Sequence, residues 1–385
     1  MNPLWERFID VSEERYIFAG GGTGGHLFPA IAIADAIRKR KPGAGILFIG
    51  TKDKIESSVV PQRGYEFRAI WISGFHRRKI LTNLLFPLKL VVSVMQSISI
   101  IRKYKPSVVV GTGGFVSGPV VYAATLLGVP SLIQDQNGVP GVTTRILGNR
   151  VNEVHLTFES SRKYFRRNDG VFMSGNPTRE FSASIDRVAA SNCFGFSPSD
   201  TRKTILIFGG SLGATTINSA VLKEIDTVLK NGVRVIWQTG RADYQRVKGH
   251  PLTPSSERSG NESLWVGVFI DRMDYAYSLS DLVVCRAGAT TIAELTCLGK
   301  PSVLVPYPFA AANHQVGNAK GLAEKNAALV IDDANAGDEL IPAALELLSN
   351  PQRLSAMAEE SKKLGKPNAA NEIADHILAL AAKRV

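Results

Sequence analysis

The sequence predicts an α/β protein with two Rossmann-like domains, and three observations support this prediction. The chain has 385 residues, more than one usual domain, so we expect two domains with separate cores. Short apolar runs alternate with helical patterns almost throughout, which indicates parallel sheets covered by helices on both faces. Three glycine-rich turns, at 20–26, 111–114 and 209–214, each follow an apolar run and open into a predicted helix.

The apolar runs give the predicted strands, and the 3.6-residue periodicity gives the helices between them. The predicted strands are Tyr16–Ala19, Ile46–Gly50, Ser107–Val110, Pro130–Gln134, Glu153–Leu156, Val171–Ser174, Thr204–Phe208, Val233–Gln238, Leu264–Val266, Leu282–Cys285, Pro301–Val305 and Ala328–Ile331. The predicted helices include Ala30–Arg40, one ending near Lys105, Ala214–Lys230, Thr290–Leu298, Asn313–Glu324 and Ala369–Lys383. The pattern falters at Asn176–Ser199, which we interpret as the linker between the domains.

A strand, a glycine turn and a helix N-terminus together favour anion binding. Glycine lets an anion approach the backbone, and the free N–H groups and helix dipole point at it. Glycine also serves tight turns and close packing, so one such turn would be weak evidence. Three turns spread over both halves predict a phosphorylated ligand held between two similar domains.

Composition narrows the function classes. Three dispersed cysteines, with no Cys-x-x-Cys pair and no histidines clustered in sequence, argue against a disulfide framework or a zinc site. Residues 1–14 carry acids and lack a continuous apolar core, so we expect no signal peptide and a cytosolic protein. The net charge of +11 indicates an anionic partner. No nucleic-acid-binding pattern is visible, so nucleic acid is the weakest candidate.

One segment favours a membrane surface. Arg77, Arg78 and Lys79 are flanked by apolar residues, and an amphipathic pattern with Pro87 and Lys89 follows. The apolar stretch is too short to span a bilayer. One interpretation is a helix packed on a sheet; the other is that residues 75–90 rest on an anionic lipid surface.

Several motifs, in order along the chain, are similar to those of one enzyme family. They are Gly21–His26, Gly113–Pro119, Gln136–Asn137, Gly175–Arg179, Gly209–Ser211, Cys285–Ala289 and His314–Gln315. The chain after residue 15 resembles the MurG family of bacterial N-acetylglucosaminyltransferases, in glycosyltransferase family 28. The resemblance implies the GT-B fold, with two Rossmann-like domains facing across a cleft and the C-terminal helix returning to the N-terminal domain. It implies an acceptor and membrane-facing domain at 15–177 plus 366–385, and a UDP-sugar donor domain at 178–365.

The activity that this resemblance implies is inverting transfer of N-acetylglucosamine. The donor would be UDP-N-acetylglucosamine, and the acceptor would be the 4-hydroxyl of the muramyl sugar in undecaprenyl-diphospho-muramoyl-pentapeptide, a step of peptidoglycan synthesis. No cofactor and no metal are expected. The expected location is peripheral, at the cytoplasmic face of the inner membrane on an anionic surface, with other cell-wall synthesis enzymes as partners.

For the donor, the resemblance implies binding residues in the second half and at Asn137, while Thr23, Gly24 and Gly25 would line the donor sugar and the acceptor phosphates. Ser211 suits a phosphate oxygen, although its side chain could instead cap the following helix. Arg286 follows a strand directly, where a charge needs an acid or an anion. Glu294 would accept the ribose hydroxyls, and the Ile270 backbone would contact uracil while its side chain is core. The implied substrate-binding residues are Thr23, Gly24, Gly25, Asn137, Arg179, Ser211, Ile270, Arg286, Ala289, Thr290, Thr291, Glu294 and Gln315.

His26 is the candidate catalytic residue, because its pKa range suits a general base and it ends the first glycine turn. It could instead cap the helix or bind the acceptor diphosphate. Gly113, Gly114 and Ser117 are expected to cradle that diphosphate.

Two positions depart from the family pattern. Gln134-Asp135 replaces a frequent His-Glu, which removes one candidate base, and Phe309 stands where histidine is common. The identity of the base therefore stays open. Three rival functions also remain: a glycolipid synthase, a UDP-N-acetylglucosamine 2-epimerase, and a catalytically silent nucleotide-sugar sensor.

Overall fold

The computed structural model describes residues 14–74, 84–179, 185–210, 212–251, 262–310 and 313–383. The first half contains β1 (Arg15–Gly20), α1 (Gly24–Arg40), β2 (Gly45–Gly50), α2 (Glu56–Gln62), β3 (Glu66–Ala69), α3 (Phe86–Tyr104), β4 (Val108–Gly113), α4 (Gly114–Leu126), β5 (Ser131–Asp135), α5 (Val142–Leu147), β6 (Glu153–Leu156), a 3₁₀ helix (Glu159–Tyr164) and β7 (Val171–Phe172). The second half contains α6 (Arg187–Cys193), β8 (Thr204–Phe208), α7 (Thr215–Lys230), β9 (Arg234–Gln238), α8 (Arg241–Lys248), β10 (Leu264–Gly267), α9 (Met273–Leu279), β11 (Leu282–Cys285), α10 (Ala289–Leu298), β12 (Ser302–Leu304), α11 (His314–Ala323), β13 (Leu329–Val330), α12 (Ala336–Ser349), α13 (Pro351–Lys363) and α14 (Ala369–Ala382).

The strands form two parallel sheets, which confirms the predicted fold class. The first sheet has the order β3-β2-β1-β4-β5-β6-β7, and the second has β10-β9-β8-β11-β12-β13. Each begins with the Rossmann order, in which the chain reverses direction across the sheet after its third strand. The central strands are almost entirely buried apolar residues, as parallel strands covered on both faces require.

Helix α14 returns to the first sheet, as expected. Ile373, Ala374 and Ile377 are fully buried and share a core cluster with Tyr16 and Phe18 of β1. The polypeptide thus leaves the first sheet after β7, builds the second, and comes back to close the first core.

Three local expectations need correction. The sequence analysis missed β3, a short edge strand with only partly buried residues between Glu66 and Ala69. Helix α1 begins at Gly24 rather than Ala30 and contains Pro29, which lacks the N–H that would donate to the carbonyl of Gly25. The predicted linker contains helix α6, whose start is capped by the Asp186 carboxylate accepting from the N–H of Val188.

Helix α3 leaves part of its apolar surface exposed near its start. Leu88 is 52% exposed, Val91 58% and Met95 65%, whereas Ser93 and Ser97 face the protein interior. The cationic segment at Arg77–Lys79 lies outside the described residues. Among the described residues, no helix is both long and apolar enough to cross a bilayer.

Candidate functional site

The strand order places the glycine-rich turns at equivalent edges of the two sheets. The order reverses between β1 and β4 in the first sheet and between β8 and β11 in the second. The three turns follow β1, β4 and β8, and Arg286–Gly288 follows β11. Ligands of open parallel sheets bind at these reversal points, beyond the carboxyl ends of the strands. Each sheet therefore offers one candidate site.

The first two glycine turns touch each other, and this contact requires glycine. Gly113 and Gly114 have φ values of 102° and 77°, a region that disfavours side chains. A Cβ on Gly113 would lie 2.6 Å from Nδ1 of His26, and a Cβ on Gly114 would collide with the carbonyl oxygen of Gly21. The turns that carry these predicted residues are thus brought together.

His26 lies at this junction with a defined tautomer. Its Nδ1 is 3.2 Å from the carbonyl oxygen of Thr112 and 3.0 Å from Oε1 of Gln136. Both neighbours are acceptors, because the Gln136 Nε2 already donates to the Thr112 carbonyl at 2.7 Å. The proton of the neutral ring therefore lies on Nδ1, and Nε2 keeps its lone pair. A ring held in this way can accept a proton at Nε2.

The departure at Gln134 becomes part of this arrangement. Gln134 is fully buried, and its Oε1 accepts from Gln136 Nε2 at 2.5 Å. Its own Nε2 lies 3.4 Å from the Thr157 hydroxyl and from the carbonyl of Gly175. The amide thus fixes which end of Gln136 faces His26. Sequence reasoning missed this role, because it depends on contacts across three strands.

Asp135 shapes the loop that carries Asn137. Its carboxylate accepts from the N–H groups of Asn137 and Gly141, both at 3.1 Å, and the Ser161 hydroxyl donates to the Asn137 carbonyl at 2.7 Å. The backbone at Asn137 is therefore fixed from two sides. Its predicted contact with the donor sugar stays a prediction.

Glu56 was missed by the sequence analysis and lies directly behind the first turn. It is 1% exposed, and its Oε2 accepts from the N–H of Gly22 at 3.0 Å. Its Oε1 accepts from the N–H and the hydroxyl of Thr51 at 3.0 and 2.9 Å. One backbone donor of the first glycine turn is therefore used internally. A residue 34 positions from its partner gave no local signal.

The remaining first-half residues lie at two helix starts. Thr23 is the residue before α1, and Gly24 and Gly25 form its first turn, without a side-chain cap from Thr23. Ser117 is buried in α4, where its hydroxyl donates to the carbonyl of Gly114 at 3.1 Å. The role of these residues with the acceptor diphosphate stays a prediction.

In the second sheet, Gln238 at the end of β9 braces the third glycine turn. Its Nε2 donates to the carbonyl of Gly210 and its Oε1 accepts from the N–H of Ile270, both at 2.9 Å. The Ile270 side chain is 3% exposed in a core cluster, as predicted. The backbone N–H of Ile270 already donates to Gln238. A backbone contact with uracil would therefore use the carbonyl oxygen of Ile270. Ser211 lies outside the described residues.

Arg286 emerges from β11 into a set of oxygen acceptors. It pairs with the carboxylate of Asp333 and donates to the carbonyls of Val305 and Pro306 at 3.1 and 3.3 Å. The acid that a charge at this position requires is therefore Asp333, a residue that the sequence analysis did not name. The proximity of Arg286 to a nucleotide stays a prediction.

Glu294 and Arg179, both predicted to bind substrate, contact each other. Glu294 is 5% exposed; its Oε1 accepts from Arg179 Nε at 2.9 Å and its Oε2 from the Tyr277 hydroxyl at 3.0 Å. Burial raises the pKa of Glu294, although Arg179 and Tyr277 oppose this effect. Each oxygen retains a lone pair, so the carboxylate can still accept from a diol.

Helix α10 begins with three predicted residues, Ala289, Thr290 and Thr291. The Thr290 hydroxyl is buried and has no hydrogen-bond partner among the described residues, which leaves a polar group free for a ligand. Farther along the chain, Gln315 accepts from the N–H of Tyr307 at 2.9 Å. Its amide NH₂ group is a donor that could bond to a sugar hydroxyl.

The two sites approach each other. Helix α1, which starts at the first turn, contacts helix α10 of the second sheet. The N–H of Gly138 also donates across to Asn318 Oδ1 at 3.3 Å. A cavity of about 180 Å³ lies between the halves, lined by residues such as Thr157, Asn176 and Ile292. The helix that begins at the first glycine turn and the loop after Asn137 thus both contact the second half.

Family models match both halves of the chain. The glycosyltransferase family 28 N-terminal domain matches residues 16–156, and the family 28 C-terminal domain matches residues 204–373. The two matches fall on the two parallel sheets.

Whole-chain relatives agree with this assignment. A UDP-N-acetylglucosamine–N-acetylmuramyl-(pentapeptide) pyrophosphoryl-undecaprenol N-acetylglucosamine transferase of Chlorobium limicola is 46% identical, over 95% of this chain and 99% of its own. The protein of the same name from Prosthecochloris aestuarii is also 46% identical, over 95% and 98%. The crystal structure of Acinetobacter baumannii MurG matches with a TM-score of 0.72 at 28% identity, covering 95% of this chain and 99% of that one. These matches agree with the GT-B arrangement expected from the sequence.

Proposed function

Because the chain belongs to glycosyltransferase family 28, we propose that it transfers N-acetylglucosamine from UDP-N-acetylglucosamine to a lipid-linked muramyl acceptor. The acceptor is undecaprenyl-diphospho-muramoyl-pentapeptide, and its 4-hydroxyl receives the sugar. The product is the disaccharide lipid precursor of peptidoglycan. The observation that carries the proposal is the orientation of His26 at the junction of two glycine turns. Its Nδ1 donates to Thr112 and Gln136, so Nε2 is left unprotonated and can act as a base.

The chemistry requires a base, an open face of the anomeric carbon and a stabilised leaving group. The acceptor oxygen attacks the anomeric carbon from the face opposite UDP, so the C–O bond to the phosphate breaks as the new β bond forms. The hydroxyl proton passes to Nε2 of His26, and UDP departs with the bonding electrons. Gln136 and Thr112 accept from the opposite nitrogen and stabilise the imidazolium that results.

The second sheet, within residues 178–365, is the proposed donor domain. Glu294 accepts the ribose hydroxyls, and the Ile270 backbone contacts uracil. The N-terminus of α10, with Ala289, Thr290 and Thr291, faces the diphosphate together with the third glycine turn. Backbone N–H groups at a helix N-terminus stabilise such a leaving group. Arg179 and Gln315 complete the donor contacts, and Asn137 reaches the sugar from the first sheet.

Residues 15–177 and 366–385 form the proposed acceptor and membrane-facing domain. Thr23, Gly24, Gly25, Gly113, Gly114 and Ser117 surround the acceptor diphosphate. The exposed apolar side chains at the start of α3, including Leu88 and Val91, rest on the anionic cytoplasmic face of the inner membrane. The net charge of +11 favours that surface.

A transfer assay tests the activity. The purified protein is mixed with labelled UDP-N-acetylglucosamine and either the lipid-linked muramyl acceptor or diacylglycerol. Label in the muramyl lipid is the expected result. Label in diacylglycerol indicates a glycolipid synthase, and acceptor-independent breakdown of the donor indicates an epimerase; either result overturns the proposal.

Vesicle sedimentation tests the membrane surface separately. We expect the protein to co-sediment with vesicles rich in anionic lipid and to bind neutral vesicles less. Val91→Gln should weaken this binding severalfold, while the control Val188→Gln, an equally exposed valine of the second half, should not. Equal binding by both variants would contradict a role for α3.

A further inference from the structure

A cluster of two histidines and a glutamate, none of them among the residues proposed to bind substrate, joins helix α14 to the first sheet. Glu153 and His155 lie on β6, and His376 lies on α14. Oε2 of Glu153 is 3.2 Å from Nε2 of His155 and 3.0 Å from Nδ1 of His376. All three potential ligand atoms lie within 4.8 Å of one another. Glu153 and His376 are 223 residues apart, so no local motif marks this group.

The contacts around this cluster lack one positive charge. The Ser174 hydroxyl donates to Glu372 at 2.9 Å, so it accepts from Nδ1 of His155 at 2.7 Å. A neutral His155 then directs the lone pair of Nε2 at the Glu153 carboxylate. The contacts Glu372–Ser174, Ser174–His155, His155–Glu153 and Glu153–His376 are four hydrogen bonds and need four protons. The Ser174 hydroxyl and two neutral imidazoles supply only three. A second proton on one imidazole, or a metal cation between His155 and Glu153, resolves the conflict.

The arrangement fits a divalent transition metal. Zinc binds imidazole nitrogen and carboxylate oxygen at about 2.0–2.2 Å, which separates tetrahedral ligand atoms by about 3.4 Å. The two measured separations, 3.2 and 3.0 Å, are close to that value. Two histidines and one carboxylate, with water in a fourth position, are a known zinc ligand set.

The surroundings also suit a metal. The chain from His155 Nδ1 through Ser174 to Glu372 is the kind of outer hydrogen bonding that orients a metal-binding imidazole. Phe172 packs against both rings, with centroids 5.1 Å from His155 and 4.3 Å from His376, and shields one side from water.

We propose that Glu153, His155 and His376 form a binding site for a divalent cation of the zinc class, which fastens the returning helix α14 to β6. The cation replaces the missing proton between His155 and Glu153 and draws the His376 nitrogen toward them. Its role is structural: it secures the long-range closure of the first domain.

Zinc titration of the full chain tests this site. After treatment with a chelator, the protein is titrated with Zn²⁺ in competition with a chromophoric chelator, and with Mg²⁺ as a hard-cation control. We expect one equivalent of Zn²⁺ to bind and Mg²⁺ not to compete. At about 100 times its Kd, Zn²⁺ should raise Tm by roughly 5 °C, because the ligand binds the folded state. No stoichiometric binding by the wild type would overturn the proposal.

Matched variants locate the binding. His376→Gln, at a partly exposed position, and Glu153→Gln should weaken Zn²⁺ binding at least about tenfold and abolish the shift in Tm. The control His250→Gln removes a histidine outside the cluster and should bind as the wild type does. If circular dichroism shows that His376→Gln is folded and its Zn²⁺ affinity is unchanged, the proposed site is wrong.

Discussion

The first and third glycine turns occupy equivalent positions in two similar sheets, yet they are braced differently. Behind the first turn, the buried carboxylate of Glu56 accepts from the N–H of Gly22. Behind the third, the neutral amide of Gln238 donates to the carbonyl of Gly210. Glu56 thus occupies a backbone N–H group and places a negative charge behind the first turn. Gln238 occupies a backbone carbonyl and places no charge behind the third.

This difference suggests that the two turns divide the reaction between them. Glu56 occupies the N–H of Gly22, so the first turn has one backbone donor fewer for a leaving diphosphate, and it carries His26. The Gln238 brace occupies no N–H of the third turn, where the N–H of Gly213 alone is paired within the turn, to the Gly210 carbonyl, among the hydrogen bonds of the described residues; the helix N-terminus that follows suits phosphate oxygens. Changes in the first sheet should therefore affect kcat, and changes in the second should affect KM for the donor.

The largest expected effect follows from removing the proposed base. His26→Ala should lower kcat by about 10²–10⁴-fold and leave the affinity for UDP-N-acetylglucosamine nearly unchanged, because the proposed nucleotide contacts lie in the second sheet. Steady-state transfer rates and calorimetric donor binding measure the two quantities. His250→Ala is the control. A loss of donor affinity equal to the loss of kcat would contradict the proposal that the first sheet supplies the base and the second sheet binds the donor.

Glu56→Gln should weaken the brace of the first turn. The new NH₂ group faces the N–H of Gly22, so a buried donor loses its acceptor, at a cost of about 2 kcal/mol. We expect a lower Tm and a kcat reduced about tenfold, as His26 is less well held. The same change at exposed Glu66 is the matched control. An unchanged kcat with a lower Tm would show that the brace is structural only.

Gln238→Leu should act mainly on the KM for UDP-N-acetylglucosamine. It removes the acceptor of the Ile270 N–H and leaves the Gly210 carbonyl with the N–H of Gly213 alone, so the backbone proposed to bind the donor loses part of its support. The KM for UDP-N-acetylglucosamine should rise about tenfold, with a smaller change in kcat. Gln245→Leu, at an exposed position on α8, is the control. If kcat falls while KM holds, the assignment of the two sheets is reversed.

The smallest effect concerns Glu294 and pH. Since burial raises the pKa of Glu294 and the ribose needs the ionised form, donor affinity should fall on acidification at a pH above the ordinary glutamate range. Glu294→Gln should lower the affinity severalfold near neutral pH and remove this pH dependence. The exposed change Glu324→Gln serves as control. Calorimetric titrations across the acidic range test this, and an unchanged pH profile in Glu294→Gln would contradict it.

The raised pKa of Glu294 also determines how this residue's contribution to the free energy of unfolding changes with pH. The folded-state pKa lies above the unfolded value, so protonation favours the folded protein. This contribution is fully present below the unfolded pKa and is lost as pH rises through the folded pKa. Glu294→Gln should therefore flatten the corresponding part of the stability curve, which denaturant unfolding at several pH values measures. A curve of unchanged slope would show that another group controls stability there.

Much of the fold could be read from local pattern. Buried parallel strands such as Thr204–Phe208 and Leu282–Cys285 are continuous apolar runs, and the structure has them at the predicted bounds. The edge strand β3 was missed because its residues are only partly buried and show no apolar run. An apolar pattern reflects burial of side chains in the core. It therefore predicts central strands better than edge strands, whose side chains are less buried.

The site was predictable only where a motif carried it. The glycine turns and His26 were found, whereas Glu56, Gln238 and Asp333 were not. Each of these three acts through a partner more than 25 residues away, so no local spacing marks it. The network from Gln134 through Gln136 to His26 likewise needs three neighbouring strands to be assembled first.

A crystal structure with UDP-N-acetylglucosamine bound tests the division of labour most directly. The account predicts uridine against Ile270 and Glu294 of the second sheet, with the anomeric carbon directed across the gap toward Nε2 of His26. A nucleotide bound at the first glycine turn, or His26 turned with Nε2 away from the sugar, would contradict it.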